Sequence, residues 1–178
     1  MTRLSSSLHS STRAIGLALA TATCAVHFAG AASEGDEATF ISNARQLTFE
    51  GARAGEGYFH PDGNLLVFQS EREPGNPFYQ MYLLDLLSGE SARLSPGQGK
   101  TTCGFFQAGT GRVLYSSTHL DPKAVEKQKA ELDFRASGKQ RRYAWDYDET
   151  FEIFSANQDG TQVLQLTNSD GYDAEASY

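Results

Sequence analysis

Residues 46–70 read QLTFEGARAGEGYFHPDGNLLVFQS, and much of the remaining chain repeats this stretch. A second copy lies 47 positions on: Gln46-Leu47-Thr48 matches Arg93-Leu94-Ser95, Tyr58-Phe59 matches Phe105-Phe106, and Val67-Phe68-Gln69-Ser70 matches Leu114-Tyr115-Ser116-Ser117. A third copy begins 119 positions after the first, where Gln165-Leu166-Thr167 repeats Gln46-Leu47-Thr48 and Tyr178 takes the slot of Phe59. Self-similarity at roughly 40–50 residues with short β-rich runs is the signature of propeller blades, each a small four-stranded sheet. The expected fold class is therefore all-β, a β-propeller of four-stranded blades. The chain should hold about two blades and the start of a third. Such a piece is expected to be an incomplete fragment, because two blades and a stump leave open sheet edges.

Within the first repeat, Glu56 to His60 reads as a short inner strand and Pro61-Asp62-Gly63-Asn64 as a tight turn. Proline presets one backbone angle there, while glycine and asparagine tolerate positive φ. Leu65 to Ser70, Gln80 to Asp85 and Ser91 to Ser95 supply the next three strands, with a polar loop at 71–76 and a turn at Ser88-Gly89. The second repeat runs through Thr101 to Phe106, Arg112 to Ser117, Phe151 to Ala156 and Val163 to Thr167. Its last hairpin turn is Asn157-Gln158-Asp159-Gly160. Gln46-Leu47-Thr48 then reads as an outermost strand whose own blade lies elsewhere in the chain. Repeats thus span about 49–95 and 101–167, with the third beginning at 171.

Residues 1–32 differ in kind. Arg3 and Arg13 precede the apolar run AIGLALATATCAVHF, and Ala29-Gly30-Ala31 offers a small-residue cleavage pattern, so an export signal is expected. Residues 33–44 read as a linker and 45–178 as the partial propeller. Removing the signal leaves 13 basic residues against 22 acids, or −9. That acidity argues against a nucleic-acid partner. No later stretch is apolar enough to span a bilayer. Cys103 is the one cysteine after the signal, so no internal disulfide forms. It is expected as a small buried hydrophobe on a strand.

Between the second and third strands of the second repeat sits an insertion, 121–146. Asp121 can cap a helix, Pro122 can take its first position, and KAVEKQKAELDF follows with Val125 and Leu132 one heptad apart. Gly138 should end it. Seven basic residues gather here, and the tail RRYAWDYD adds aromatics. The candidate partner-binding set is Lys127, Arg135, Arg141, Arg142, Tyr143, Trp145 and Tyr147, residue types that binding hot spots favour. The competing reading is a solvated helix whose Val125, Leu132 and Trp145 merely pack on the blade.

Other chemistry is weakly signalled. Gly97-Gln98-Gly99-Lys100-Thr101 lacks the first glycine of a phosphate loop, with Leu94 in that place. No G-x-S-x-G run exists, and His60 and His119 read as turn or loop histidines without an obvious nucleophile. Cys103 with His119 makes only half a zinc site. Asp146, Asp148 and Glu149, or Asp170, Asp173 and Glu175, are weak candidates for Ca²⁺, with solvated loop acids as the plainer reading. No catalytic residue, cofactor or resident metal is assigned.

At Gln46-Leu47-Thr48, at Phe59-His60-Pro61-Asp62-Gly63-Asn64-Leu65-Leu66-Val67-Phe68 and at Gly171-Tyr172-Asp173-Ala174-Glu175-Ala176, the chain resembles the TolB-type, WD40-like propeller family of bacterial envelopes. His60 stands where that family usually has serine. The likeness covers roughly 45–178 and extends to a subgroup of exported members with an insertion in this place. It implies a periplasmic, or secreted, non-catalytic scaffold that binds a protein or envelope polymer, on a ring of about six blades. The separate α/β domain of TolB has no counterpart in residues 33–43, which puts binding of the Pal lipoprotein in doubt. The alternative is the N-terminal propeller of a longer, prolyl-oligopeptidase-like enzyme whose catalytic domain lies beyond Tyr178. Sugar recognition by Trp145 and Tyr147 is a third expectation.

Overall fold

The runs LLVFQS and QMYLLD are apolar on both alternating faces, which a strand tolerates only when both sides of its sheet are covered. The structure, a computed structural model that describes residues 40–178, shows how that is met. The expected export signal at 1–32 and residues 33–39 of the linker lie outside the described residues. Arg45–Tyr178 forms one compact unit.

Among the described residues eight strands make two four-stranded antiparallel sheets, each in simple up-and-down order. Sheet one holds β1 (Ala54–Phe59), β2 (Leu65–Ser70), β3 (Gln80–Asp85) and β4 (Ser91–Arg93). Sheet two holds β5 (Thr101–Phe106), β6 (Arg112–Ser117), β7 (Glu152–Asn157) and β8 (Leu164–Gln165). One helix, α1 (Ala124–Ala136), lies between β6 and β7. Among the described residues no helix is long and apolar enough to cross a membrane.

The sheets share a core. Val67, Met81 and Leu83 of sheet one meet Phe106, Val113, Tyr115, Phe154 and Ala156 of sheet two, with Leu94 from the connector. Each such side chain contributes about 1.5–3 kcal/mol by leaving water. The opposite face of sheet one carries Leu66, Phe68, Tyr82 and Leu84, covered by Leu47 and Leu86. Leu47 therefore lies on sheet one. Residues 45–49 form no ladder, since no described strand stands beside them.

The turns follow their residue types. Gly63 takes φ +78°, its N–H donates to His60 O at 2.8 Å, and Asn64 N–H donates to Asp62 Oδ1 at 3.0 Å. Asn157 to Gly160 closes the β7–β8 hairpin in the same manner, with Gly160 N–H on Asn157 O at 2.9 Å.

The repeat extends to small details. Ser95 Oγ accepts Met81 N–H at 3.0 Å and donates to Gln80 Oε1 at 2.7 Å. In sheet two Thr167 Oγ1 accepts Ile153 N–H at 2.9 Å and donates to Glu152. This explains the hydroxyl of the Leu-Thr and Leu-Ser pairs read from the sequence, which closes the outer strand on the third; of the leucines, Leu94 is buried between the sheets and Leu166 is exposed. Thr101 N–H donates to Tyr79 O at 3.0 Å and Asp173 N–H to Phe151 O at 3.1 Å, so the third copy starts as the second does.

Both inner strands carry a bulge at the same position. Residues 56 and 57 oppose one residue of β2, and 103 and 104 oppose one residue of β6. The first residue of each is left-handed: Glu56 at φ +42° and Cys103 at +56°, with Glu175 of the third copy at +61°. Cys103 is thus not the buried strand hydrophobe expected from sequence. It is half-buried at a kink, its Sγ beside Glu56 Oε2 at 3.5 Å, and burial with the neighbouring carboxylates pushes its thiol up to about 11.

Candidate functional site

The insertion is built from charge. Pro122 lies in a turn ahead of α1 rather than at its first position; Lys123 takes the cap place, and α1 begins at Ala124. Asp121 closes that turn, accepting Lys123 N–H on Oδ1 at 2.8 Å and Ala124 N–H on its carbonyl at 2.9 Å. At the other end Gly138, at φ +67°, donates to Arg135 O at 3.3 Å and stops the helix. The heptad pair expected to pack does not: Val125 is 61% and Leu132 42% exposed, and only Ala124 is buried on α1. Trp145, also expected to pack in that reading, is 62% exposed.

Polar side chains hold α1 in place instead. Lys127 Nζ sits 2.7 Å from Asp121 Oδ2 and 2.9 Å from Asp148 Oδ2; the Asp121 contact is an ion pair outside hydrogen-bond geometry. Lys100, on the connector between sheets, reaches the same Asp148 at 3.2 Å and Asp146 at 2.8 Å. Burial works against the charge of Asp148, but Lys127, Thr150 and Lys100 outweigh it and hold the carboxyl at about 2. A second anchor is Glu71, buried at the end of β2, which takes Arg53 and Arg135 together. There too the cations overcome desolvation and keep the carboxyl below its ordinary range. Gln128 completes the docking, its Oε1 accepting Gly99 N–H at 2.9 Å.

Between α1 and the segment 139–150 lies a groove of about 1190 Å³. All seven residues proposed from sequence line it. They divide sharply. Lys127 and Arg135 are held by buried carboxylates, and Arg141 pairs with Glu131 while its guanidinium lies 4.1 Å over the Phe134 ring. Arg142, Tyr143 (88% exposed), Trp145 and Tyr147 (63%) face solvent. Trp145 and Tyr147 are not free-standing: both rest on Tyr172 of the third copy, with centroids 6.4 and 5.6 Å away, and Phe151 meets the same ring edge-on at 5.4 Å.

Sequence reading missed Glu71, Arg53, Lys100 and Tyr172, which build this site from distant positions. The one available signal was Lys100, noticed only for a phosphate loop. That loop is closed to anions in a direct way: Gly97 N–H is taken by Gln80 Oε1 at 2.9 Å and Gly99 N–H by Gln128. The acids weighed for Ca²⁺ are differently employed. Asp146 and Asp148 serve lysines, Asp148 is buried rather than solvated, and Asp173 accepts Ser169 Oγ at 2.7 Å. Among the described residues no group of three or more His, Cys, Asp or Glu is placed to hold a metal ion.

Cys103 and His119 have separate neighbours. His119 lies 4.3 Å from the Phe154 ring, and burial lowers its pKa. The fold does place a hydroxyl beside it, contrary to the sequence reading, with Ser117 Oγ 3.0 Å from Nδ1. Ser117 is buried and shared with Thr101 Oγ1 at 3.0 Å, so no substrate reaches it.

No protein-family model matches the chain, and no curated protein matches it. Among solved structures it is similar to a TolB structure from Agrobacterium tumefaciens, at 17% identity and TM-score 0.45, covering 69% of this chain and 33% of that one. It is also similar to TolB from Acinetobacter baumannii, at 17% identity and TM-score 0.45, covering 71% of this chain and 24% of the other. The chain thus spans about a third and a quarter of the lengths of these two proteins.

Proposed function

We propose that the chain is part of an exported β-propeller that acts as a non-catalytic scaffold and holds a protein partner at the insertion groove. Support for the propeller comes from the molecule's own repetition. Two four-stranded sheets share a core, each kinks its inner strand at the same residue, and a third copy starts with the same backbone bond. Support for export is the basic–apolar–small pattern of residues 1–32.

One observation carries the binding role: Tyr143, Trp145 and Tyr147 stay exposed along a groove whose foundation is fixed by buried carboxylates. Exposed aromatics on a rigid support bind at low ordering cost. A photo-crosslinking side chain placed at Tyr143 in the producing bacterium tests the reading. The expected result is a discrete protein adduct, absent when the same probe replaces Ser88 on the far turn. An adduct pattern identical at both positions, or none at Tyr143, would overturn it.

A further inference from the structure

The groove's charges are unequal in what they leave over. Of the cations that line it, Arg53, Lys100, Lys127, Arg135 and Arg141 are neutralised within the chain. Lys123 and Arg142 line it too, are exposed, and form no ion pair among the described residues. Of the lining acids, Asp121, Glu131, Asp146 and Asp148 are all ion-paired, and Glu149 alone forms no ion pair among the described residues. What the groove offers a visitor is therefore two unpaired cations, one carboxylate, and the rings of Tyr143, Trp145 and Tyr147. This surplus stands on a chain of net charge −7.

Resting on the scaffold reading above, we infer that the groove's partner is an extended polypeptide segment carrying sparse carboxylates between apolar side chains. Sparse carboxylates match two unpaired cations on different elements, Lys123 at the start of α1 and Arg142 in the segment after it, and apolar residues between the carboxylates would lie on the aromatic rings. A densely charged polyanion fits badly, because two free cations give it few contacts while Glu149 and the acidic remainder of the chain repel it. A basic segment finds one free carboxylate and two opposing charges.

Fluorescence anisotropy on the chain with short labelled peptides tests this. One probe alternates Glu with Leu, a second carries Lys for Glu, and a third carries Gln for Glu; heparin and poly-glutamate serve as competitors. The Glu–Leu probe should bind saturably, weaken with added salt, and lose about tenfold in affinity with Lys123→Glu combined with Arg142→Glu. Both positions are exposed, so that variant should keep the wild-type circular dichroism and unfolding midpoint. Trp145→Ala should weaken the same probe. Equal binding of the Gln–Leu probe, with both lost on Trp145→Ala, would overturn the acid preference and leave the scaffold reading intact. Absence of binding by all three peptides would count against both. Tighter binding by the Lys–Leu probe, displacement by heparin or poly-glutamate at lower concentration than by unlabelled Glu–Leu peptide, or an unaffected charge-reversed variant would each overturn the inference.

Discussion

Sheets one and two are the same design finished differently. Both pair their second and third strands over six residues without a slip, and both kink the inner strand opposite one residue of the second. Sheet one joins those central strands through residues 71–79, where Asn76 and Gln80 lock the loop by donating to Gly99 O at 2.9 and 2.8 Å. Sheet two joins its own through residues 118–151, which hold the helix and the groove. The short connection combines those neutral hydrogen bonds with ion pairs of its own, Glu71 to Arg53 and Glu73 to Arg93, while the helix of the long one is held by ion pairs to Glu71 and Asp148. An inserted helix with no apolar stripe can still be held firmly when buried carboxylates are waiting for its lysine and arginine. Such docking depends on the protonation state of Glu71 and Asp148.

Four measurements can break or sharpen this contrast. The largest effect belongs to the shared core. Phe154, between the sheets, is the repeat counterpart of Tyr82, which lies on the other face under Leu47. Phe154→Ala should cost about 3–5 kcal/mol in chemical denaturation, and Tyr82→Ala roughly 2 kcal/mol. Equal losses would mean that the two faces are equally enclosed.

Next comes the ionic anchor. The Asp148 carboxyl titrates at about 2 in the fold against an ordinary 3.8. Its stabilisation is complete above pH 4, fades as the unfolded chain takes up the proton first, and is gone below pH 2. The amount is roughly 2 kcal/mol. Asp148→Asn should remove that acid-sensitive component and speed amide exchange in α1, leaving β2 and β3 protected. An unchanged acid limb in the variant would place the sensitivity elsewhere.

Smaller again is the glycine pair. A Cβ on Gly104 would meet Met81 Cε at 2.4 Å and Val67 Cγ2 at 2.9 Å, whereas on its counterpart Gly57 it would meet Leu66 Cδ1 at 3.2 Å. Gly104→Ala should lower stability by about 1–2 kcal/mol and Gly57→Ala by under about 1 kcal/mol, since valine cannot swing aside. The reverse order would contradict the packing described. Least of all, Val125→Ala and Leu132→Ala should each change stability by less than about 0.5 kcal/mol. A loss of several times that would restore an apolar role to the helix.

Strands β2, β3, β5 and β6 were legible to the residue, because a repeat of constant offset fixes register and each run must satisfy two covered faces. The insertion's helix was legible for a local reason, good formers between a proline turn and Gly138. Its attachment was not. Glu71 and Arg135 are far apart in the chain, and an ion pair leaves no periodic trace in sequence. The heptad of Val125 and Leu132 misled because spacing says which residues share a face, while the face that docks is chosen by carboxylates on other elements. Tyr172 was hidden for a related reason: it belongs to the third copy yet supports aromatics of the second.

Glu56 and Cys103 occupy a bend where the backbone steps out of the ladder, and Glu175 shares their left-handed backbone, so the side chains of the first two stand outside the strand pairing of their neighbours. The occupants already differ, a carboxylate in the first copy and a thiol in the second, with the same bulge in both sheets. Substitution there changes what that edge of the sheet displays without asking the ladder to adapt. The same bend lets each repeat diverge in character while remaining interchangeable in build.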